Sequence, residues 1–278
     1  MGKKKEEKTA KRERVRIFNL QEMKENKGAA TVYFVIRVIV VAIMVLSIFR
    51  GNFENTFTCV LTLVLLLVPS FIERKMKIDI PNVLEVIIIL FVFSANILGE
   101  MGDFYQKFHF WDTMLHTMNG FICAGVGFGM IDILNRSEKV KMDFSPIFVC
   151  LFSFCFSMTV GVLWEFFEFS MDFFFAKDMQ KDTIINFINS TLLAGTDGSV
   201  TRIDEINKTL VNGSDLGING YLDIGIIDTM KDLFVNFIGA IVFNIIGFIY
   251  IIGRNIKENK FINSLVPTKI REQEEKDD

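Results

Sequence analysis

"ATVYFVIRVIVVAIMVLSIF", Ala30 to Phe49, is a run of twenty residues with a single charge, Arg37. A helix of that length rises about 30 Å, the thickness of a bilayer's hydrocarbon core. Five further blocks share its character: Thr56–Ile72, Val83–Gly99, Thr113–Leu134, Pro146–Phe167 and Lys231–Ile252. The chain is 51% hydrophobic, with 30 phenylalanines, yet 23% charged. These fractions are segregated into blocks instead of interleaving at helix or strand period, which marks a membrane protein. Backbone groups in lipid need partners within their own segment, so the blocks read as helices. A β-barrel would show short alternating segments instead. The expected fold is all-α, a polytopic bundle of six transmembrane helices.

Lysine and arginine counts predict the orientation. Residues 1–29 carry ten, the Glu73–Asn82 loop three, the Asn135–Phe144 loop three, and the tail from Gly253 six. The alternate connections are poorer: Arg50 alone, Lys107 alone, and four across residues 173–227. The counts predict a plasma-membrane protein with both termini cytoplasmic. Residues 1–29 then form a basic cytoplasmic tail, 30–252 the membrane domain and 253–278 a charged cytoplasmic tail. The first block reads as a full span and not as a cleaved signal peptide, since 29 polar residues precede it. The basic tail is expected to lie against anionic headgroups, with the bilayer and not nucleic acid as its partner.

The extracytoplasmic loop, residues 173–227, is too long for a simple connector. "DTIINFINSTLL", Asp182 to Leu193, has helical apolar spacing and predicts a short surface helix. "SVTRIDEINKTLVNG", Ser199 to Gly213, alternates and ends on Asn-Gly, predicting a small β element with a hairpin turn. The loop is thus expected to be a small α/β cap. Cys59, Cys123, Cys150 and Cys155 lie inside apolar blocks without metal-ligand pairing. Gly125 and Gly129, four apart, suit close helix contact. Arg37 is expected to snorkel or to pair with Glu85.

The remaining membrane-level polar residues form stripes. With a helix beginning near Lys107, His109, Asp112 and His116 share one face, continued by Gly120. Glu165 and Glu168 share a face near the outer end of the fifth block. Asp228, Asp232 and Asn236 repeat every four residues at the outer end of the sixth. Ionisable groups at that depth are costly unless they face one another or water, so the stripes are expected to line a polar pocket on the extracytoplasmic face. His116, Asp112, Glu165 and Asp232 could ligate a divalent metal such as Zn²⁺ or Mn²⁺. Asp112, His116, Glu165, Glu168, Asp228 and Asp232 could instead act as a catalytic acid–base set, with Asp112 orienting His116. Asn236, Gly120 and His109 would support either arrangement. Clustered carboxylates also suit a proton- or cation-coupled transporter, or a hydrogen-bonded network that fixes helix packing. No G-x-S-x-G or H-E-x-x-H motif is present.

Three motifs carry a resemblance: D-x-x-x-H-x-x-x-G-F (Asp112, His116, Gly120, Phe121), W-E-x-x-E (Trp164, Glu165, Glu168), and D-T-x-x-D with a following Gly (Asp228, Thr229, Asp232, Gly239). On them the chain resembles the YjdF-type bacterial inner-membrane proteins, a family of unknown function. It resembles VanZ-like proteins more distantly; these commonly carry Gln and Arg after the glutamate, where this chain has Glu168 and no matching arginine. The resemblance implies residence in a bacterial envelope. The expected function is binding or processing of a cell-envelope lipid or small molecule. Transport and a structural, partner-stabilising role stand as alternatives.

Overall fold

A computed structural model of the chain describes residues 27–76, 78–135, 143–194 and 198–253, with Leu265, Thr268 and Lys269. Residues 1–26 of the basic tail, the cationic stretch 136–142 and most of the charged tail beyond 253 lie outside the described residues. Six helical stretches are long and apolar enough to cross a membrane: Ala30–Phe49, Phe53–Glu73, Asn82–Met101, Trp111–Asn135, Pro146–Phe175 and Ile226–Gly253. By internal contacts the chain forms two compact units, residues 1–108 with 254–278, and residues 109–253.

The first unit contains α1 (Lys27–Phe49), α2 (Phe53–Leu65), α3 (Val68–Met76), α4 (Asn82–Phe93) and the one-turn α5 (Phe104–Lys107). Asn52 caps α2, its Oδ1 accepting the Asn55 N–H at 2.9 Å. The block expected to run from Thr56 to Ile72 breaks at Leu66–Leu67. Pro69 lacks the N–H that would bond the Leu65 carbonyl, and proline disfavours helical geometry in the residue before it. The third block continues α4 into a π-helical segment, Ser94–Met101, a widened turn that composition alone does not announce. Tyr33, Ile36, Val40, Cys59, Leu66, Ile89, Val92 and Ile97 form the unit's buried core. Arg37 stacks its guanidinium 4.1 Å over the Tyr33 ring, and the Tyr33 hydroxyl donates to the Leu66 carbonyl at 3.3 Å. Ile78–Asp79 (β1) pairs antiparallel with Thr268–Lys269 (β8).

The second unit is a three-helix bundle of α6 (Trp111–Asn135), α7 (Pro146–Phe175) and α8 (Ile226–Gly253). Ser145 opens α7 as its cap, accepting the Phe148 N–H at 3.3 Å, with Pro146 at the first helical position. Helix α7 is polar inside and apolar outside. Its buried stripe is Ser153, Ser157, Gly161, Glu165 and Glu168, whereas Leu163, Phe166, Phe169 and Phe173 face outward. Lipid removes the penalty for exposed phenylalanine and leaves small and polar residues to join the helices. Ser153 Oγ donates to the Ala124 carbonyl at 2.7 Å, and Ser157 Oγ to the Gly120 carbonyl at 2.8 Å.

Glycines let α6 and α8 touch backbone to backbone. A Cβ on Gly120 would overlap the Asn236 carbonyl, and one on Gly239 would overlap the Thr117 carbonyl. Deeper in the bundle, Gly125 receives the Phe243 ring and Gly247 the Phe128 ring.

The segment between α7 and α8 corrects one expectation. No surface helix forms over Asp182–Leu193. Ile184–Ile185 (β2) pairs with Tyr221–Leu222 (β7), and Ile188–Ser190 (β3) with Thr201–Ile203 (β4). Partners distant in sequence override the local helical spacing. The hairpin does form: Leu210–Val211 (β5) pairs with Ser214–Asp215 (β6). Asn212 and Gly213 have φ of 51° and 81°, the mirror-image turn that Asn-Gly favours. Gly213→Ala should weaken this hairpin by about 1 kcal/mol. The readout is faster amide exchange at Leu216, whose N–H donates to the Thr209 carbonyl at 3.1 Å.

Candidate functional site

Helices α6 and α8 begin, and α7 ends, on the side of the bundle where residues 176–194 and 198–225 fold; this is the loop end. Each brings its polar stripe there. On α6, Asp112 and His116 are one turn apart, and His116 Nε2 lies 3.4 Å from Asp112 Oδ1. From α8, Asp232 Oδ2 approaches the same nitrogen at 3.8 Å. From α7, Glu165 Oε1 faces the opposite ring nitrogen, Nδ1, at 3.7 Å. One imidazole therefore has carboxylates of three helices around it. Both nitrogens can donate at once only when the ring is an imidazolium.

Two sets of potential ligand atoms each lie within 4.8 Å of one another: Asp112, His116 and Asp232, and His116, Glu165 and Glu168. Glu168 is also held from its own helix, where Trp164 Nε1–H donates to Oε1 at 2.8 Å. Exposure falls steeply across the cluster. The Lys231 side chain is 44% exposed and Asp112 22%, but His116 is 10%, Glu165 5% and Asp232 1%. Lys231 and Asp112 thus form the exposed edge, and Asp232 and Glu165 the floor. Asp112 Oδ2, Glu165 Oε2 and Asp232 Oδ1 are buried without a hydrogen-bonding partner. Three such oxygens in one site leave room for a proton, a water or a cation to complete it.

Lys231 is the residue that the stripes did not single out. Its Nζ lies 3.7 Å from Asp112 Oδ2 and 3.8 Å from Asp228 Oδ1. The available signal was its place beside Asp232 and three residues from Asp228, on the first turns of α8.

Asp228 is shared between the site and the loop. Its Oδ2 accepts the Lys181 N–H at 2.8 Å, and the neighbouring Thr229 hydroxyl accepts from Gln180 Nε2 at 2.5 Å. On α7, Asp172 accepts the Met179 and Gln180 N–H groups at 2.6 and 2.8 Å. The strap over residues 178–183 is therefore tied to both helices. Asp223 extends the tie, accepting from Thr183, Gly225 and Ile227.

His109 does not join the cluster. It is exposed, in a turn before α6. The helix expected from Lys107 stops there, because Phe108 is extended (φ −130°, ψ 99°), and α6 begins only at Trp111.

Directly inward of His116, Asn236 is fully buried and its Oδ1 accepts from Asn119 Nδ2 at 3.0 Å. Gly161 packs against the Asn236 amide. Gly120 and Asn236 therefore act as the floor's support, with Gly120 setting the distance between helices.

A family model described as "Predicted membrane protein (DUF2238)" matches residues 32–253, a span that contains all three motifs of the YjdF-type resemblance. An uncharacterized protein of Thermotoga maritima is 30% identical over 104 residues, which is 37% of this chain and 52% of that protein. The chain thus spans about half the length of the curated relative it matches. No solved structure matches the chain.

Proposed function

Since the chain belongs to the DUF2238 family of membrane proteins, we propose that it is a multi-pass protein of the bacterial plasma membrane that binds and processes a cell-envelope lipid or small molecule at the loop end of its three-helix bundle. Both termini would be cytoplasmic, which places that end on the extracytoplasmic face. The observation that supports this is the set of carboxylates around His116, exposed only at Asp112 and Lys231. In this reading His116 carries the proton. Asp112 and Asp232 orient it on one nitrogen, and Glu165 faces the other. Glu168, fixed by Trp164, completes the acidic wall. Lys231 meets an anionic group of the ligand at the mouth. Coupled transport is the competing reading. The backbone contacts at Gly120 and Gly239, one to two turns inward of the site, weigh against a path between α6 and α8.

Two measurements test the proposal. Full-length protein purified in detergent is extracted, and the extract is compared by mass spectrometry with that of Lys231→Ala and His116→Gln. A lipid or small molecule retained by the wild type and depleted in both folded variants supports the reading; identical extracts overturn it. Orientation is read at His109→Cys, in the exposed turn. Labelling of intact cells by a membrane-impermeant thiol reagent, above the wild-type background, is expected. Labelling only after permeabilisation would place the site on the cytoplasmic side.

A further inference from the structure

We propose that Asp112, His116 through Nε2, and Asp232 form a binding site for a divalent cation of the Zn²⁺ or Mn²⁺ class, with Glu165 fixing the ring from Nδ1. This rests on the binding half of the functional reading above; with an ion on Nε2, His116 serves as a ligand, and its proton-carrying role belongs to the metal-free site.

Both distances are long for hydrogen bonds; the shorter has the spacing of two ligands on one ion, and the longer would close by a few tenths of an ångström on binding. Nε2 stands 3.4 Å from Asp112 Oδ1 and 3.8 Å from Asp232 Oδ2, longer than ordinary N–H···O contacts. Two ligand atoms that share a tetrahedral zinc at roughly 2.0–2.2 Å lie about 3.3–3.6 Å apart. All three residues place a ligand atom within 4.8 Å of the others.

An independent observation points the same way. Asp232 is 99% buried by its 1% exposure, yet its Oδ1 has no hydrogen-bonding partner. Glu165 Oε2 is in the same condition. A carboxylate oxygen out of water is costly until something cationic or acidic reaches it. Among the described residues, Asp112, Glu165, Glu168, Asp228 and Asp232 together face His116 and Lys231 as potential cations. A divalent ion would supply the missing positive charge.

The two nitrogens of His116 offer two possible sides, and Nε2 is the better one. On the Nδ1 side, Glu168 already spends Oε1 on the Trp164 N–H. On the Nε2 side, Asp112 Oδ1 and Asp232 Oδ2 face the nitrogen, and the second oxygen of each carboxylate lacks a hydrogen bond. A metal-bound histidine usually donates its other N–H to a carboxylate, which sets the tautomer and the ring plane. Glu165, 3.7 Å from Nδ1, stands where that carboxylate belongs. One imidazole and two carboxylates leave positions for water or ligand, the open coordination of a working metal and not the closed shell of a structural one. The exposed edge at Asp112 supplies the approach.

The test uses the full chain in detergent, stripped with EDTA and then incubated separately with Mn²⁺ and Zn²⁺. Metal retained after desalting is measured by elemental mass spectrometry, and visible absorption after Co²⁺ loading reports the coordination. The wild type should retain a stoichiometric amount of at least one ion. Asp232→Asn and Asp112→Asn should each lose it. Glu165→Gln should weaken retention by about 10–100-fold, and Glu168→Gln should keep it. If Asp232→Asn does not accumulate, Asp112→Asn at the exposed edge reads the same ligand set. Wild-type protein that holds no metal, or no more than Asp112→Asn holds, overturns the site. Loss in Glu168→Gln with retention in Asp112→Asn puts the ion on Nδ1 and overturns the assignment. Metal-free protein that still retains an envelope molecule in a His116-dependent way overturns the cation alone and leaves the binding function standing.

Discussion

His116→Ala should destabilise the second unit by about 3–5 kcal/mol, the cost typical of removing one partner from a buried charge cluster. The imidazole is the group on which Asp112, Glu165 and Asp232 all converge. Without it, carboxylates from α6, α7 and α8 face one another across a cavity with little water, and each is costly there. The readout is thermal or detergent unfolding of the purified protein. Specificity comes from a second substitution: adding Asp232→Asn should restore part of the loss, because it removes one of the stranded charges. A purely steric role for the ring predicts the opposite, with the two substitutions adding.

Gly239→Ala should cost about 1–3 kcal/mol, the range for forcing extra volume into a closed interface. The new Cβ would meet the Thr117 carbonyl and the Phe121 backbone nitrogen, and neither can rotate away as a side-chain tip could. The helices must separate, which also strains the Asn119–Asn236 hydrogen bond. Gly253→Ala is the control, since nothing lies within 4 Å of a Cβ there. Unfolding of the two variants should differ by nearly the whole effect. Equal stability would mean that α6 and α8 are not in backbone contact in the bilayer.

Long-range order was legible where one property decides it. Apolar blocks of full membrane length announced the six helices long enough to cross a membrane, and their polar ends announced that Asp112, His116, Glu165 and Asp232 lie near one another. The helices run further than hydropathy suggests. Helix α7 reaches Phe175 and α8 begins at Ile226, because the polar turns that carry Glu168 and Asp228 keep their helical hydrogen bonds. Local patterns failed where distant partners decide. The spacing of Asp182–Leu193 suits a helix, but Tyr221–Leu222 and Thr201–Ile203 draw its residues into strands. The π-helical segment at Ser94–Met101 was invisible, since a widened turn needs no change in composition. His109 falls off the stripe because α6 starts at Trp111, one turn later than the spacing suggests. The second role of Asp228 depends on where the strap over residues 178–183 returns, which no periodicity encodes.

The contact of Gly120 and Gly239 with the facing backbone has a mechanical consequence. Of the glycine contacts between α6 and α8, those at Gly120 and Gly239 are backbone on backbone and those at Gly125 and Gly247 meet rings that can yield, so a change of crossing angle turns about the first pair. His116 is four residues from Gly120, a lever arm of about 6 Å at the helical rise. Asn135, fifteen residues away in the other direction, has an arm of about 22 Å. A tilt of about 10° therefore shifts the imidazole by about 1 Å and the far end of α6 by about 4 Å. Bending of the bilayer or loading from a neighbour is absorbed at the distal ends of the helices, while the ligand set at the loop end keeps its spacing.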